Sequence, residues 1–381
     1  MRLTQQTIIR PSKSCYKEIL DLCHKSKNLF NATLYAVRQY YFDNKRYLPY
    51  VEIDRLFKET NNVDYRSLPS QTAQQTMKVV DQSFRSFFRS LKLPGTHHIP
   101  HYKEIDGVFP VTYTNQQIST RALKEGYIKV AGLDHLFPTK LSNIKQVRFL
   151  PRSKYIIMEV IYEVESIPVK EDNHRYAAID LGIDNLATLT FNDDSPIIIN
   201  GRPVKAVNQF YNKQKSAYQS RKKNISHLTL KRNNKIKDYF HKSSRFITNH
   251  LVSLEYNTLI VGYNKKWKQD VNLGTRNNQS FVSIPFLQFV NILKYKCELE
   301  GIRVVLREES YTSKASFLDR DPIENTVFSG QRIKRGLYKS KNHGVINADV
   351  NGSYNIMRKE VGDVAIPTDR GFVFNPLRIS F

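Results

Sequence analysis

The sequence predicts an α+β chain of several domains. Apolar residues recur at helical spacing through residues 12–91. Short alternating runs replace them between 102 and 169, and strand and helix alternate from 176 onward. At roughly 150 residues per domain, 381 residues suggest about two or three domains. Hydrophobic residues make up 40% and charged residues 25%, so packed cores are expected and wholesale disorder is not.

Met1 to Arg10 alternates like a short strand (Leu3, Thr4, Thr7, Ile8, Ile9). From Ser12 to Phe42 the apolar set Ile19, Leu22, Cys23, Leu29, Phe30, Leu34, Val37 predicts a helix. A second helix is predicted over Val51–Thr60 and a third over Ser70–Leu91, with Ser70 as N-cap. Pro94, Gly95 and Pro100 mark a loop. Short strands are expected at Phe109–Tyr113, Tyr127–Val130, Gln146–Leu150 and Lys154–Tyr162. The first strand is expected to join them, making the helical block an insertion. Glu171–His174 reads as a linker. Strands then follow near Ala177–Ile179, Leu186–Phe191 and Ile197–Ile199. Lys205–Leu254 reads as one long helical region, Thr258–Val261 as a buried strand and Phe286–Leu299 as a helix stopped by Gly301. Ile302–Leu306 is a strand, Tyr311–Asn342 is irregular and basic, and Ala348–Met357 is a helix. The last 20 residues read as a loosely attached tail.

Charge narrows the partners. Lys and Arg number 59 against 35 Asp and Glu, a formal net charge of +24, which asks for a polyanion. Between Arg202 and Arg245 there are 13 Lys/Arg and one acid, Asp238. So one-sided a run repels itself unless a polyanion lies nearby. Lys213, Lys215, Arg221, Lys222, Lys223, Lys231 and Arg232 are therefore candidate nucleic-acid contacts, with Lys314, Arg332, Lys334 and Arg335 further on. The 22 Tyr and 21 Phe suit stacking on bases beside such contacts, although most Phe are expected in the core. No apolar run of about 18 residues and no secretory hydrophobic segment is present, so no membrane partner is expected. Cys15, Cys23 and Cys297 are too few and too scattered for a disulfide framework or a four-cysteine zinc site. A soluble cytoplasmic protein follows from these expectations.

Acids stand at element ends in the second half. Asp180 closes a hydrophobic strand, Glu308 and Glu309 close another, and Asp349 opens a helix. Carboxylates converging from distant positions suit a two-magnesium site, because hard divalent cations take oxygen ligands and an ion pair hydrolyses phosphodiesters. Asp184, four residues after Asp180, is a near-site acid whose commoner role is that of a turn residue paired to Asn185 or the backbone.

These residues carry a family resemblance. AIDLGIDNLATLTF, EESYTSKASFLD and NADVNGSYNI resemble, in order, the first motif, the connecting segment and the third motif of the RuvC-type nuclease domain of TnpB proteins. TnpB proteins are insertion-sequence proteins related to Fanzor proteins and type V CRISPR effectors. SKNLFNATLYAVRQ, LPSQTAQQTMKVVDQSFRSFFR and IPHYKEIDGVFPVTYTNQQIS resemble the family's N-terminal half, so the likeness spans about residues 1–360. It implies a wedge-like β-barrel (1–10 and 100–170) interrupted by a helical recognition lobe (11–99). It further implies an RNase H-like α/β RuvC domain (171–310 and 343–381) with a small nucleic-acid-binding insertion (311–342). The implied activity is RNA-guided, Mg2+-dependent DNA cleavage, with a transposon-derived guide RNA and target double-stranded DNA as partners. Base pairing would read the sequence and the protein the adjacent motif. One monomer per RNA is expected, a dimer being left open, in a bacterial, nucleoid-associated setting.

Two departures matter. Where the family's second motif places a catalytic Glu, LIVGYNKKW has Gly262. Either the site is dead, leaving a guided DNA-binding protein, or the Glu is relocated as in Fanzors. The relocated position matches Glu309, and Glu308 is the alternate facing the other way. The implied metal ligands are then Asp180, Glu309 and Asp349. Second, many relatives carry two CxxC pairs in the insertion. Here Ser316 and other residues stand instead, so no zinc is expected. The insertion is expected to hold by packing of Phe317, Leu318, Phe328 and Leu337. Lys314 is a candidate phosphate contact, and Trp267 is a candidate either for stacking on a base or sugar or for burial in the RuvC interface.

Overall fold

The computed structural model describes residues 1–152, 154–263, 283–324, 327–363 and 371–381. Trp267 lies outside the described residues. The chain divides into two compact units, Met1–Glu165 and Ser166–Phe381.

In the first unit, β1 (Arg2–Ile9) is followed by the helices α1 (Tyr16–Asn44), α2 (Tyr50–Glu59), α3 (Val63–Arg66) and α4 (Ser70–Ser90). Ser70 is the first helical residue, with Pro69 at the cap position and no side-chain cap. This corrects the expected cap, and it follows from the proline, which presets the entry angle. β2 (Val111–Thr114), α5 (Thr120–Lys124), β3 (Tyr127–Ile128), β4 (Phe137–Pro138), β5 (Ile144–Arg152) and β6 (Tyr155–Glu163) follow. The main sheet has the antiparallel order β1-β6-β5-β2. β1 bonds only β6 and β2 bonds only β5, so its two edges do not meet. The expected barrel is therefore corrected to an open sheet with a β3–β4 ribbon; no closed barrel occurs among the described residues. One hydrophobic core joins Ile19, Phe30 and Leu34 of α1 and Met77 and Phe84 of α4 to Val147, Phe149 and Met158 of the sheet.

The second unit opens with the meander β7 (Tyr176–Leu181), β8 (Asn185–Phe191) and β9 (Ile197–Asn200). The expected single helical region is two helices, α6 (Arg202–Ser220) and α7 (Ser226–Ser253), broken at the basic turn 221–225. Then come β10 (Thr258–Gly262), α8 (Phe286–Leu299) and β11 (Arg303–Arg307). In the segment expected to be irregular lie β12 (Gln331–Lys334) and β13 (Leu337–Lys339), which pair with β14 (Val345–Asn347). α9 (Ala348–Val361) and β15 (Leu377–Ile379) complete the chain. The main sheet runs β11-β10-β7-β8-β9-β15, with β10 parallel to both β7 and β11. The tail is not loose: β15 adds a parallel edge strand to β9. Side-chain alternation along β7 sets the layers. Ala177, Ile179 and Leu181 face a core shared with α7 and α8, while Ala178, Ile260, Ile356 and Met357 pack under α9. Among the described residues no helix is long and apolar enough to cross a membrane.

Candidate active site

Alternation along β7 decides where its carboxylate goes. Asp180 shares parity with Tyr176 and Ala178, so it faces α9. Parallel register sets Val261 opposite Ile179, which brings Gly262 level with Asp180. In the next strand Arg307 pairs with Gly262. Two residues further, the Glu309 carboxylate comes back over Gly262. A Cβ at Gly262 would collide with Glu309 Oε1 and with Ile356 Cδ1. The space where a side chain could grow from residue 262 is thus filled by Glu309.

Gly352 makes similar room for Asp180. A Cβ there would lie 2.9 Å from Asp180 Oδ2, closer than side chains normally approach. Asp349 is fixed by the helix start. Asn347 Oδ1 accepts from the backbone N–H groups of Asp349 (2.9 Å) and Val350 (3.2 Å), and the first helical turn favours a negative charge. Asn185 Nδ2 donates to Asp349 Oδ2 at 2.6 Å, and Arg332 lies 3.8 Å from Asp349 Oδ1.

Crowding is visible in the protonation of Asp180. Burial raises its carboxyl well above the ordinary range, and the charges of Glu309 and Asp349 raise it further; Arg332 offsets part of this. The charges of Glu309 and Asp349 thus act against the ionised form of Asp180. The donor set, oxygen only, fits a hard divalent cation such as Mg2+. The three do not converge on one point: among the described residues no group of three or more His, Cys, Asp or Glu side chains is placed to hold a single metal ion.

Glu308 goes the other way. It is exposed, accepts from the N–H of Ser310 at 2.8 Å and pairs with Lys359 at 3.0 Å. The Ser310 hydroxyl, then Lys359, hold its carboxyl below the usual range. Asp184 is paired neither to Asn185 nor only to the backbone, as a turn residue would be. It bridges Lys205 (2.7 Å) and Arg335 (2.8 Å), which tie the β7–β8 turn to α6 and to the β12–β13 hairpin. A cleft of about 450 Å³ opens beside Asp184 and Asp349, with Arg202, Arg332, Arg335 and Arg378 in its lining.

The basic residues divide. Lys213, Arg221, Lys222, Lys223, Lys231, Lys314 and Lys334 are exposed and Lys215 is half-buried. Arg232 is not a free surface cation. Its guanidinium donates to Asn208 Oδ1 (2.8 Å), Asn233 Oδ1 (2.9 Å) and the Ser283 carbonyl, which makes it a cross-link of the fold. Arg332 and Arg335 lean on acids, as described above.

The insertion holds by more than packing. Phe317 and Leu318 are fully buried, while Phe328 and Leu337 are only half-buried. Two carboxylates do the rest. Asp319 accepts from the hydroxyls of Ser316 (2.6 Å) and Ser340 (2.7 Å) and the N–H groups of Lys341 (2.9 Å) and Asn342 (3.1 Å). Asp321 accepts from the N–H groups of Ser316 (2.8 Å) and Ser329 (3.0 Å) and the Ser329 hydroxyl (2.6 Å). Sequence reasoning missed these, along with Asn185, Lys205, Asn351 and Asn355. The amides of Asn351 and Asn355 donate from α9 to the Ala315 carbonyl at 2.8 and 2.7 Å. Two asparagines four residues apart on a helix buried along its length were the available signal.

The family model OrfB_IS605, described as a probable transposase, matches residues 159–268. The model of the Cas12f1-like TNB domain matches residues 286–356. The chain is similar to the solved Cas12f1–sgRNA–target DNA complex, at 15% identity over 94% of this chain and 100% of that one, with a TM-score of 0.38. It is similar also to a CRISPR-Cas12f ternary complex, at 14% identity over 90% and 82%, with a TM-score of 0.38. No curated protein matches. The first model spans Asp180, and the second spans Glu309 and Asp349.

Proposed function

We propose that this TnpB-like chain is an RNA-guided DNA endonuclease of transposon origin. It binds a transposon-derived guide RNA, recognises a motif beside its DNA target and hydrolyses the phosphodiester with its RuvC-type site. One observation carries the reading: Asp180, Glu309 and Asp349 are brought together from three distant segments, and the glycine that departs from the family motif is the place Glu309 needs. Residues 311–342 are assigned as the target-nucleic-acid-binding insertion of this domain.

Asp180, Glu309 and Asp349 would hold Mg2+, which when bound supplies the Lewis acidity and charge stabilisation of phosphodiester hydrolysis. The chain's own residues prepare that site. Gly352 lets Asp180 approach α9, Asn347 fixes the helix start and Asn185 orients Asp349. Arg332 places a positive charge beside Asp349, within reach of a phosphate in the cleft.

A second reading is a guided DNA-binding protein that does not cut. The observation favouring it is that the three carboxylates do not close on a single ion. Protein purified with its native RNA, given Mg2+ and a guide-matched target beside a randomised flank, separates the two. Cut ends enriched for one flank are expected. Retention of DNA with an enriched flank and no cutting would replace the endonuclease by the binder.

A further inference from the structure

Away from the carboxylates, α6 and α7 meet in a second cleft of about 240 Å³. Ala206, Val207, Phe210 and Tyr211 line it from α6, spaced so that they share one face. Leu228, Lys231 and Lys235 line it from α7. Phe210 is 59% exposed, so its ring is accessible from solvent. Tyr211 is locked from behind: its hydroxyl lies 3.0 Å from Thr229 Oγ1, and the Arg232 guanidinium sits 5.5 Å from its ring centre. Neither Lys231 nor Lys235 is in an ion pair among the described residues. The lining thus has an apolar aromatic floor, a cationic rim and no acid.

We infer that this cleft takes an unpaired nucleotide of a bound single strand, its base against Phe210 and Tyr211 and its flanking phosphates on Lys231 and Lys235. Every base has a π-face to stack, and each phosphate releases counterions when neutralised, so such a site binds without sequence preference. The volume suits one planar ring system rather than the row of anchors that a docked helix needs. A rim of lysines with no acid disfavours a second copy of this strongly basic chain, whose charge is +24. The inference extends the proposed function, because it names a contact for a strand that base pairing leaves free.

The test uses the full chain and 12-nucleotide oligouridylate carrying one 4-thiouridine, with the matching oligothymidylate and a duplex of equal length. Crosslinks on the α6 peptide holding Phe210 are expected. Phe210→Ala should weaken single-strand binding about tenfold, the effect of losing one stacked base, and duplex binding less than twofold. Lys231→Glu with Lys235→Glu should weaken both and flatten the salt dependence. Comparing RNA with DNA oligomers shows which strand the site prefers. Because Phe210 is exposed, its variant should melt with the native protein, which excludes misfolding. Equal loss of single-strand and duplex binding, or no loss, would overturn the site, as would a Phe210-dependent dimer. Guided cutting that persists with Phe210-independent binding would sink this inference alone, whereas single-strand binding without cutting would sink only the nuclease.

Discussion

The second unit holds two clusters of acids, and they are built in opposite ways. Around Asp180, Glu309 and Asp349, carboxylates face one another, and the Asp180 carboxyl is driven up by burial and by its neighbours' charge. Around Asp319 and Asp321, every described contact is a donor. Burial pushes the Asp319 carboxyl up, but the hydroxyls of Ser316 and Ser340 and two backbone N–H groups outweigh it and leave it at about 2. Burial and neighbouring charge disfavour the ionised Asp180 in the first cluster, whereas hydrogen-bond donors favour the ionised Asp319 in the second. Asp180 and Asp319 thus mark, by the opposite sign of their shifts, a candidate reaction centre and a structural knot.

The comparison can be broken most severely at Asp180. Asp180→Asn should lower guided cutting by about 10³-fold or more, the scale of removing one essential electrostatic group. Thermal unfolding of the same variant should occur at or above the native temperature, because a repelling charge is gone. A large loss of stability would show that the cluster is structural after all.

Gly262→Ala tests how the first cluster is assembled. The new methyl must displace Glu309 or Ile356, and misplacing a reacting group by about 1 Å costs about 100-fold. Cutting assays on guide-matched DNA should therefore find Gly262→Ala about 100-fold slower, although no carboxylate is lost. An unimpaired variant would mean that Glu309 does not need that space.

The knot gives a smaller effect with a distinct pH signature. Since the folded Asp319 carboxyl lies below its unfolded value, its stabilisation is present above about pH 4 and is lost as pH falls through about 2. Asp319→Asn should cost about 2 kcal/mol at neutral pH, and the native-minus-variant difference should vanish toward pH 2. Chemical unfolding across that range reads both. A pH-independent difference would assign the loss to packing instead.

How much of this was legible in the sequence depends on the range of the interaction. Asp180 and Asp349 stand out because each ends or opens an element, and period-2 alternation separates Glu308 from Glu309 on local grounds. The role of Gly262 as space for another strand's carboxylate was not legible, because it depends on the register of β10 and β11. The Asp319 knot draws on Ser340, Lys341 and Asn342, more than twenty residues away. The edge strand β15 likewise depends on a partner that local pattern does not name, which is why a loose tail was expected, whereas the barrel was what the family resemblance implied.

The most direct measurement compares three proteins, each purified with its native RNA, on guide-matched DNA in Mg2+: native, Glu309→Gln and Glu308→Gln. Native and Glu308→Gln should cut within about twofold of each other, since the Glu308 carboxylate is exposed and turned to Lys359 rather than to Asp180 and Asp349. Glu309→Gln should bind the same DNA and leave it whole. Cutting by Glu309→Gln at the native rate, or no cutting by the native protein, would contradict a carboxylate centre completed by Glu309.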